Sequence, residues 1–546
     1  MASKVFRRVA GLNPGYSVFD LSYEKKLTCD FGQLIPIMCD EVVPGDRFTI
    51  GNEVVIRFQP LVAPILHEIN CYVHYFFVPY RLLWDKWEDF ITGGVKGDFE
   101  ADLPLWIPGN VDESVSKNSL WDYFGFPIID DIRTSDIGQF PLDFPRRAYN
   151  FIWNEYYRDQ NLQRQYRYKE DQVTGVDIDK FRMNGEGDSG SILFRNWEKD
   201  YFTSSLPWQQ RGTAPALPIT GVIPVDWNLP ALPGGVNIPL GQTVPVTGAF
   251  NDYYNNPGDA VVRGNATAGS HVAKLNRNQN AGLEQYSSID LGEATTFNVA
   301  DLRLAFQIQK WLERNARGGA RYTEFLKAHF GVYPRDERLQ RPEYIGGSKS
   351  PIIISEVLQT SRTDQGQSPQ GNLAGHGITA DRTFCGKYRA TEYGLIMGIM
   401  SIMPRSAYQQ GIDRQWLRKT KYDFYFREFA NLSEQAIETR EIYVTNNKDQ
   451  NMKILGYQGR YDEMRVKRNM VVSEMRDTFN YWHLGRVFSG PPLLNESFIS
   501  LQNSLPSLKR VFAVQNRPGI IVNFGNLIKA VRPMPIQAEP GLIDHN

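Results

Sequence analysis

The chain has 546 residues, enough for three or four domains of ordinary size or for one large β body with long insertions. Its 60 Lys and Arg residues against 61 Asp and Glu residues leave a formal charge of −1. This balance excludes a polycation that condenses nucleic acid by bulk charge, although a local basic face remains compatible with it. The 46 Gly and 32 Pro residues favour many turns over long helices.

The cysteines and the uncharged segments exclude further classes of protein. The four cysteines, Cys29, Cys39, Cys71 and Cys385, form no CxxC pair, so we expect reduced thiols rather than a zinc ribbon or a redox site. The basic first 17 residues lack the apolar stretch of a secretory signal. The longest uncharged run, 227–251, contains four prolines, and we therefore expect no membrane insertion.

The first third of the chain predicts β structure. Two short β-rich runs flank Gly51-Asn52 within residues 46–58, which indicates a hairpin. Residues 65–79 are rich in branched and aromatic side chains and predict a long, mostly buried strand.

Residues 212–292 differ from the rest of the chain. Only 8 of these 81 residues are charged, while 8 are Pro, 11 are Gly and 9 are Asn. No helical period survives so many helix breakers. The change predicts an inserted, surface-facing subdomain, and a flexible linker is the alternative.

Helices are predicted only after this stretch. Residues 301–315 place a polar stripe beside a broad apolar face, and Gly318-Gly319 is a typical end for such a helix. Residues 321–330 predict a second, shorter helix.

The last third predicts strands again. The apolar run 392–404, the alternating residues 422–426, and the segments 437–445 and 464–472 all carry β signals. Along the chain, strands come first, followed by a long variable stretch, a few helices and further strands. This order indicates a mainly β fold, namely a sandwich whose strands come from distant parts of the chain.

A search for catalytic or ligand-binding motifs predicts no catalytic residue, metal site or cofactor. His67 and His74 are seven residues apart in a predicted strand and therefore cannot share a face as the histidines of HExxH do. Residues 185–190 match GxGxxG without a preceding buried strand. The oxygen-bearing residues at 184, 186 and 188 lack the Gly and Glu of a calcium loop.

Basic residues mixed with aromatic ones are the most informative pattern. Residues 403–427 carry six Lys or Arg, two Asp and six aromatic side chains. Such a mixture suits phosphate contacts and base stacking, and equally a solvated or subunit-contacting face. The candidates for contact with DNA are Lys4, Arg7, Arg8, Arg418, Lys419 and Lys421.

Six segments carry a resemblance to a known family. They are FDLSYEKKLTCDFGQLIPIMCDEVVPGDRF (19–48), HYFFVPYRLLWDKWEDFITGG (74–94), DLRLAFQIQKWLERNARGGARYTEFLKAHFGV (301–332), RLQRPEYIGG (338–347), ISEVLQTS (354–361) and GIMSIMPRSAYQQG (398–411). The chain thereby resembles the major capsid proteins of the Microviridae, small single-stranded DNA bacteriophages, and specifically their gokushovirus branch. Residues 212–292 are outside the resemblance.

The resemblance implies a structural protein, not an enzyme. We expect a basic N-terminal arm (1–18) and an eight-stranded antiparallel jelly roll with insertions and a few short helices (19–546). Sixty copies would form a T=1 icosahedral shell around a circular single-stranded DNA genome. Segment 212–292 would form a protrusion at the threefold axes, with Trp227, Phe250, Tyr253 and Tyr254 as candidates for contact with a host receptor.

The near-zero charge predicts a further partner. A coat of net charge −1 cannot neutralise the enclosed DNA, so we expect a small basic phage protein or bound cations inside the virion. Assembly is expected in the bacterial host cytoplasm. The alternative function is that of a jelly-roll carbohydrate-binding protein or glycan-processing enzyme, whose aromatic loops would stack on sugars.

Overall fold

The structure is a computed structural model that describes residues 15–106, 117–128, 141–169, 181–182, 191–215, 226–227, 260–262, 273–275, 287–288, 299–358, 373–432 and 434–537. The chain divides into two compact units, residues 1–211 with 313–546, and residues 212–312. The larger unit contains the long strands.

The first sheet, called sheet I here, has six antiparallel strands in the order β1-β18-β4-β14-β13, and β2 also pairs with β18. Its strands are β1 (Ser17–Asp20), β2 (Tyr23–Cys29), β4 (Arg47–Phe58), β13 (Ile353–Leu358), β14 (Leu373–Arg389) and β18 (Ile520–Arg532). Even-numbered residues of β4 are buried, whereas Arg47, Glu53 and Arg57 are exposed. This alternation shows that one face of sheet I lies on the core and the other is open.

The second sheet, sheet II, has four antiparallel strands in the order β12-β5-β15-β3. Its strands are β3 (Ile35–Val42), β5 (Ile69–Pro79), β12 (Glu343–Pro351) and β15 (Gly394–Pro404). Every residue of β15 is buried, and nearly every residue of β5. The two central strands of sheet II, β5 and β15, are therefore covered on both faces, which explains the continuous apolar runs in their sequence.

The strand order is that of a jelly roll. If β2, β3, β4, β5, β12, β14, β15 and β18 are numbered one to eight, sheet I has the order 1-8-3-6 and sheet II the order 2-7-4-5. Successive strands thus lie in different sheets, except the fourth and fifth, which are neighbours in sheet II, as in two interleaved Greek keys. Side chains of both sheets, among them Phe48, Phe524, Phe77 and Met397, belong to one apolar cluster. The predicted mainly β sandwich is confirmed.

A helical layer covers the outer face of sheet II. It is formed by α4 (Phe144–Ile152) and the wide turn Trp153–Tyr157 that continues it. The Tyr156 ring lies 4.7 Å from that of Phe76, and the Tyr157 hydroxyl is 2.8 Å from Nδ1 of His74. The sequence analysis did not predict this layer.

The other helices of the larger unit are short. They are α1 (Tyr80–Leu83), α2 (Trp87–Thr92), α3 (Leu120–Phe124), α6 (Tyr322–Phe330), α7 (Lys448–Asn451), α8 (Asp462–Arg465), α9 (Glu496–Ile499) and α10 (Leu505–Leu508). Helix α5 (Val299–Gly318) crosses the boundary between the units. The two predicted helices, 301–315 and 321–330, are confirmed as α5 and α6, and the chain leaves α5 at Gly318-Gly319 as expected.

A second, smaller apolar cluster lies in the C-terminal half. It contains Tyr201, Phe202, Tyr408, Ile437, Ile442, Leu455, Phe498 and Ile499. Strands β16 (Glu434–Glu438) and β17 (Ile454–Gly459) form an antiparallel pair there. Two further short strands of the larger unit, β6 (Gln165–Tyr166) and β7 (Phe181–Arg182), pair in parallel.

The described part of the smaller unit contains four short strands. They are β8 (Asp226–Trp227), β9 (Ala260–Val262), β10 (Ala273–Leu275) and β11 (Ser287–Ser288). β9 pairs with β10 and β8 with β11, both antiparallel. That residues 212–292 are a surface subdomain stays a prediction.

The predicted hairpin at residues 46–58 is wrong, because β4 runs without interruption from Arg47 to Phe58. Gly51 pairs with Phe384 on one side and with Leu527 on the other. Asn52 is buried, and its amide donates to the Ser348 hydroxyl at 3.0 Å. Pairing with two long neighbours therefore keeps extended a dipeptide that would turn in isolation.

The predicted strand at residues 422–426 is also wrong. Thr420 caps a 3₁₀ turn at Lys421–Asp423, and a second 3₁₀ turn follows at Arg427–Asn431. The Asp423 carboxylate accepts from the amides of Thr420 (2.8 Å) and Lys419 (2.9 Å). These local side-chain to backbone hydrogen bonds compete with strand pairing.

Two other predicted strands are largely absent. In segment 437–445 only the first two residues belong to β16, and a 3₁₀ turn at Thr439–Glu441 follows. Segment 464–472 begins in α8 and then pairs only through an isolated bridge between Tyr408 and Met470. The four cysteines are free in the structure.

Candidate nucleic-acid and subunit-contact surfaces

The basic and aromatic segment singled out in the sequence lies at the surface of the larger unit. We call residues 414–427 the aromatic segment. Its 3₁₀ turns leave five large side chains exposed, namely Trp416, Tyr422, Phe424, Tyr425 and Phe426. Trp416 has 75% of its surface accessible, which is far above what a ring with packing partners in its own chain retains.

The three predicted DNA contacts of this segment already have neighbours within the chain. The Arg418 guanidinium lies 4.9 Å from the Phe424 ring centre, and the Lys421 ammonium lies 5.1 Å from that of Tyr422. Lys419 Nζ is 3.5 Å from a carboxylate oxygen of Glu438. Cation–π contacts and an ion pair therefore use part of the binding capacity that a phosphate would need.

The cleft beside these residues carries charges of both signs. It is lined by Arg414, Arg418, Lys419, Arg440 and Arg460 together with Asp423, Glu438, Glu441 and Glu463. Hydrogen bonds from the backbone amide of Thr420, and then from Lys419, lower the pKa of Asp423. The carboxylates thus offset the cations, which weakens attraction to a polyanion.

A second basic surface is the open face of sheet I. It was missed because its residues come from five strands, β1, β2, β4, β14 and β18, most of which are far apart in sequence. Its basic side chains are Lys26, Arg47, Arg57, Arg382, Lys387, Arg389 and Lys529, and its acidic ones are Asp20, Glu24 and Glu53. The only signal in the sequence was alternation within each strand, as in Lys387-Tyr388-Arg389.

The remaining candidates cannot be compared with the structure. Lys4, Arg7, Arg8, Phe250, Tyr253 and Tyr254 lie outside the described residues. For Trp227 the structure describes only its place in β8, where it pairs with Ser287.

The structure places the two histidines of the motif search in separate environments. His74 contacts Tyr157 on the covered face of sheet II, whereas His67 lies before β5 and its Nε2 is 2.5 Å from the Arg405 carbonyl oxygen. Among the described residues no group of three His, Cys, Asp or Glu side chains could hold a metal ion. Within the same ranges no helix combines the length and the apolar character that spanning a membrane requires.

A two-sheet jelly roll is found in viral coat proteins as well as in lectins and cupins, and comparison with known proteins identifies the family. The model of the family described as "Capsid protein (F protein)" matches residues 12–542, and the chain belongs to this family. The Microviridae resemblance is thereby confirmed.

Three curated relatives carry the name capsid protein VP1. The one from Chlamydia phage 1 is 34% identical, with 96% of this chain and 95% of the relative covered. Those from Bdellovibrio phage phiMH2K and Spiroplasma virus 4 are 32% and 30% identical, covering 98% and 94% of this chain and 97% and 92% of each relative. The chain is therefore a structural capsid protein of the virion, not an enzyme, and its copies form the shell that encloses the viral genome.

Proposed function

We propose that sixty copies of this chain form a T=1 icosahedral shell around circular single-stranded DNA. The observation that carries this proposal is the aromatic segment, whose large rings are exposed although the chain has two well-packed apolar clusters of its own. Aromatic rings and arginines are enriched in the buried centres of protein interfaces. Contact with neighbouring copies would bury these rings.

The experiment is particle assembly by the purified full chain. The variant Trp416→Ser/Phe424→Ser should abolish closed particles of uniform diameter in electron micrographs, because it removes two rings from the proposed contact. The matched control is Ile353→Ser, which removes an equally exposed apolar side chain, 69% accessible, from the open face of sheet I. Both variants should melt within about 2 °C of the unchanged chain, since the altered side chains are exposed. Particles of normal yield from the first variant would refute the role of the aromatic segment.

Genome enclosure requires a source of positive charge beyond this chain, whose formal charge is −1. We expect a small basic phage protein or bound cations in the virion, in addition to Lys4, Arg7 and Arg8 of the N-terminal arm. Mass spectrometry and metal analysis of purified particles test this. Particles filled with DNA that hold only this chain, without polyamines or metal ions, would contradict it.

Host attachment is proposed for residues 212–292, with Trp227, Phe250, Tyr253 and Tyr254 as receptor contacts. The support is the low charge and the aromatic content of this sequence, which suit a surface that binds another molecule. Phage lacking residues 222–285 should assemble in the bacterial cytoplasm but no longer adsorb to host cells. Loss of assembly with adsorption retained by the residual particles would instead make the segment structural.

A further inference from the structure

The open face of sheet I carries a surplus of positive charge. Among the side chains that the structure describes there, seven are basic and three acidic, all at positions that alternate with core residues. Lys26 is paired with Glu24 at 3.0 Å. Within the described part of the chain, Arg57, Arg382, Lys387 and Arg389 form no ion pair. These four cations are therefore available to an external anion.

The cations concentrate at one end of the sheet, which we call the basic end: Arg47, Lys387, Arg389 and Lys529. Arg47 and Arg389 are direct cross-strand partners, and Thr49 separates Lys387 from Lys529 in the next row. Like charges directly opposite each other repel. Asp20 faces Lys529 at the edge of the sheet, but no acidic side chain stands between the two arginines. A bound anion would relieve this repulsion.

An aromatic ring stands beside the basic end. Phe384 is 61% exposed at a β-bulge, and its cross-strand partner is Gly51, with Leu527 beyond it. Because Gly51 has no side chain, the surface between Phe384 and Leu527 is low and apolar. Flat bases stack on exposed rings while their phosphates contact nearby cations, which is the usual arrangement at single-stranded nucleic-acid sites.

We propose that the open face of sheet I binds the packaged single-stranded DNA, with phosphates at the basic end and a base against Phe384. This rests on the proposed function, since it assigns the genome to one face of the coat protein. Arg418, Lys419 and Lys421 are the weaker candidates, because each of the three already has a ring or a carboxylate as a neighbour. At the basic end Arg47 has such a neighbour too, since its guanidinium lies 5.3 Å from the Tyr16 ring centre. The N-terminal sequence with Lys4, Arg7 and Arg8 precedes β1 of the same sheet along the chain.

The test compares two variants that remove equal charge. Binding of a fluorescein-labelled 20-nucleotide oligothymidine to the purified full chain is measured by fluorescence anisotropy across a series of NaCl concentrations. Arg47→Gln/Lys387→Gln/Arg389→Gln should weaken binding at least tenfold at about 0.1 M salt. It should also reduce the slope of log Kd against log salt by about 2, at about 0.7 per lost phosphate contact. The control, Arg418→Gln/Lys419→Gln/Lys421→Gln, should stay within twofold of the unchanged chain.

Other outcomes overturn the proposal. Equal losses in both variants would show a response to total charge, and a loss confined to the control would place the DNA on the aromatic segment. Unchanged DNA affinity with failed particle assembly in the first variant would make the open face a contact between copies. If the triple variant does not fold, Lys387→Gln alone should still lower the affinity about threefold.

Phe384 provides an independent test. Phe384→Leu keeps an exposed apolar side chain but removes the ring and should weaken oligothymidine binding about fivefold or more, whereas Phe384→Trp should retain it. Equal affinity of the two variants would contradict stacking. Particle assembly separates the proposed shell function from the proposed DNA site. If the unchanged chain forms no particles, the proposed function fails. If it forms particles while all open-face variants bind DNA normally, only the proposed DNA site fails.

Discussion

The two sheets of the jelly roll differ in what covers them. The central strands of sheet II, β5 and β15, are buried on both faces, by sheet I and by the helical layer at 144–157, whereas sheet I is buried on one face only. The two sheets share one core, yet among the described residues it is sheet I whose strands alternate between buried and exposed side chains. The difference shows that two sheets built on one strand pattern can differ in the surface that they leave to solvent.

The strongest test of this difference compares two phenylalanines. Phe76 is 1% exposed and packs on Tyr156, so Phe76→Ala should lower the free energy of unfolding by about 3–5 kcal/mol. Phe384→Ala on the open face should change it by less than about 0.5 kcal/mol. Urea denaturation of the unassembled chain measures both, and similar losses would show that the face of sheet I is covered.

A second test uses the pH dependence of stability. Burial under the helical layer, with a smaller contribution from Arg195, lowers the pKa of His74 from 6.5 to about 4. The unfolded state therefore binds the proton first as the pH falls, so stability that is fully present above pH 6.5 is lost between pH 6.5 and 4. The loss should reach about 3 kcal/mol.

The control for this test is His74→Gln, which cannot titrate. Its free energy of unfolding, measured by urea denaturation at several pH values between 7.5 and 4, should lose that part of the pH dependence. An unchanged slope in the variant would mean that other groups cause it and that His74 is accessible to solvent.

Glycines of the two sheets give a third comparison. A Cβ at Gly347 in β12 would collide with the carbonyl oxygen of Val73 in the neighbouring strand, so Gly347→Ala should cost about 1–3 kcal/mol. A Cβ at Gly525 in β18 would be 3.4 Å from the Glu53 carbonyl oxygen, an ordinary contact. Gly525→Ala should therefore be neutral or stabilising by up to about 1 kcal/mol, because alanine loses less backbone entropy on folding. Thermal unfolding of both variants measures these two changes in stability.

The smallest expected effect concerns the opposed arginines. Arg389→Gln removes the repulsion with Arg47 and should raise the free energy of unfolding by up to about 0.5 kcal/mol at low salt. The gain should disappear in about 1 M salt, where surface charges are screened. A destabilised variant would mean that Arg389 has a structural partner.

Much of the fold was predictable from local sequence. Strands β5 and β15 and helices α5 and α6 carry long, consistent patterns, and all four were predicted. The errors fall where local and long-range preferences disagree. Gly51-Asn52 turns in most contexts, but here it lies between two long strands, and the alternation at 422–426 is overridden by the hydrogen bonds of Asp423.

The candidate sites were less predictable. The sequence located Arg418, Lys419 and Lys421 because they are neighbours along the chain, and the structure shows them beside rings and a carboxylate. The basic end of sheet I brings together residues 47, 387, 389 and 529, a separation of more than 300 positions. No local pattern can indicate such a cluster, because antiparallel register alone decides which strands lie side by side.

Composition, periodicity and family resemblance were enough to establish a β-rich capsid protein without enzymatic function, since these depend on side-chain chemistry read in order along the chain. Tertiary structure alone decided which sheet is covered and which face stays open. The physical reason is that burial depends on elements distant in sequence, here a helical layer that packs on one sheet and leaves the charged face of the other in solvent.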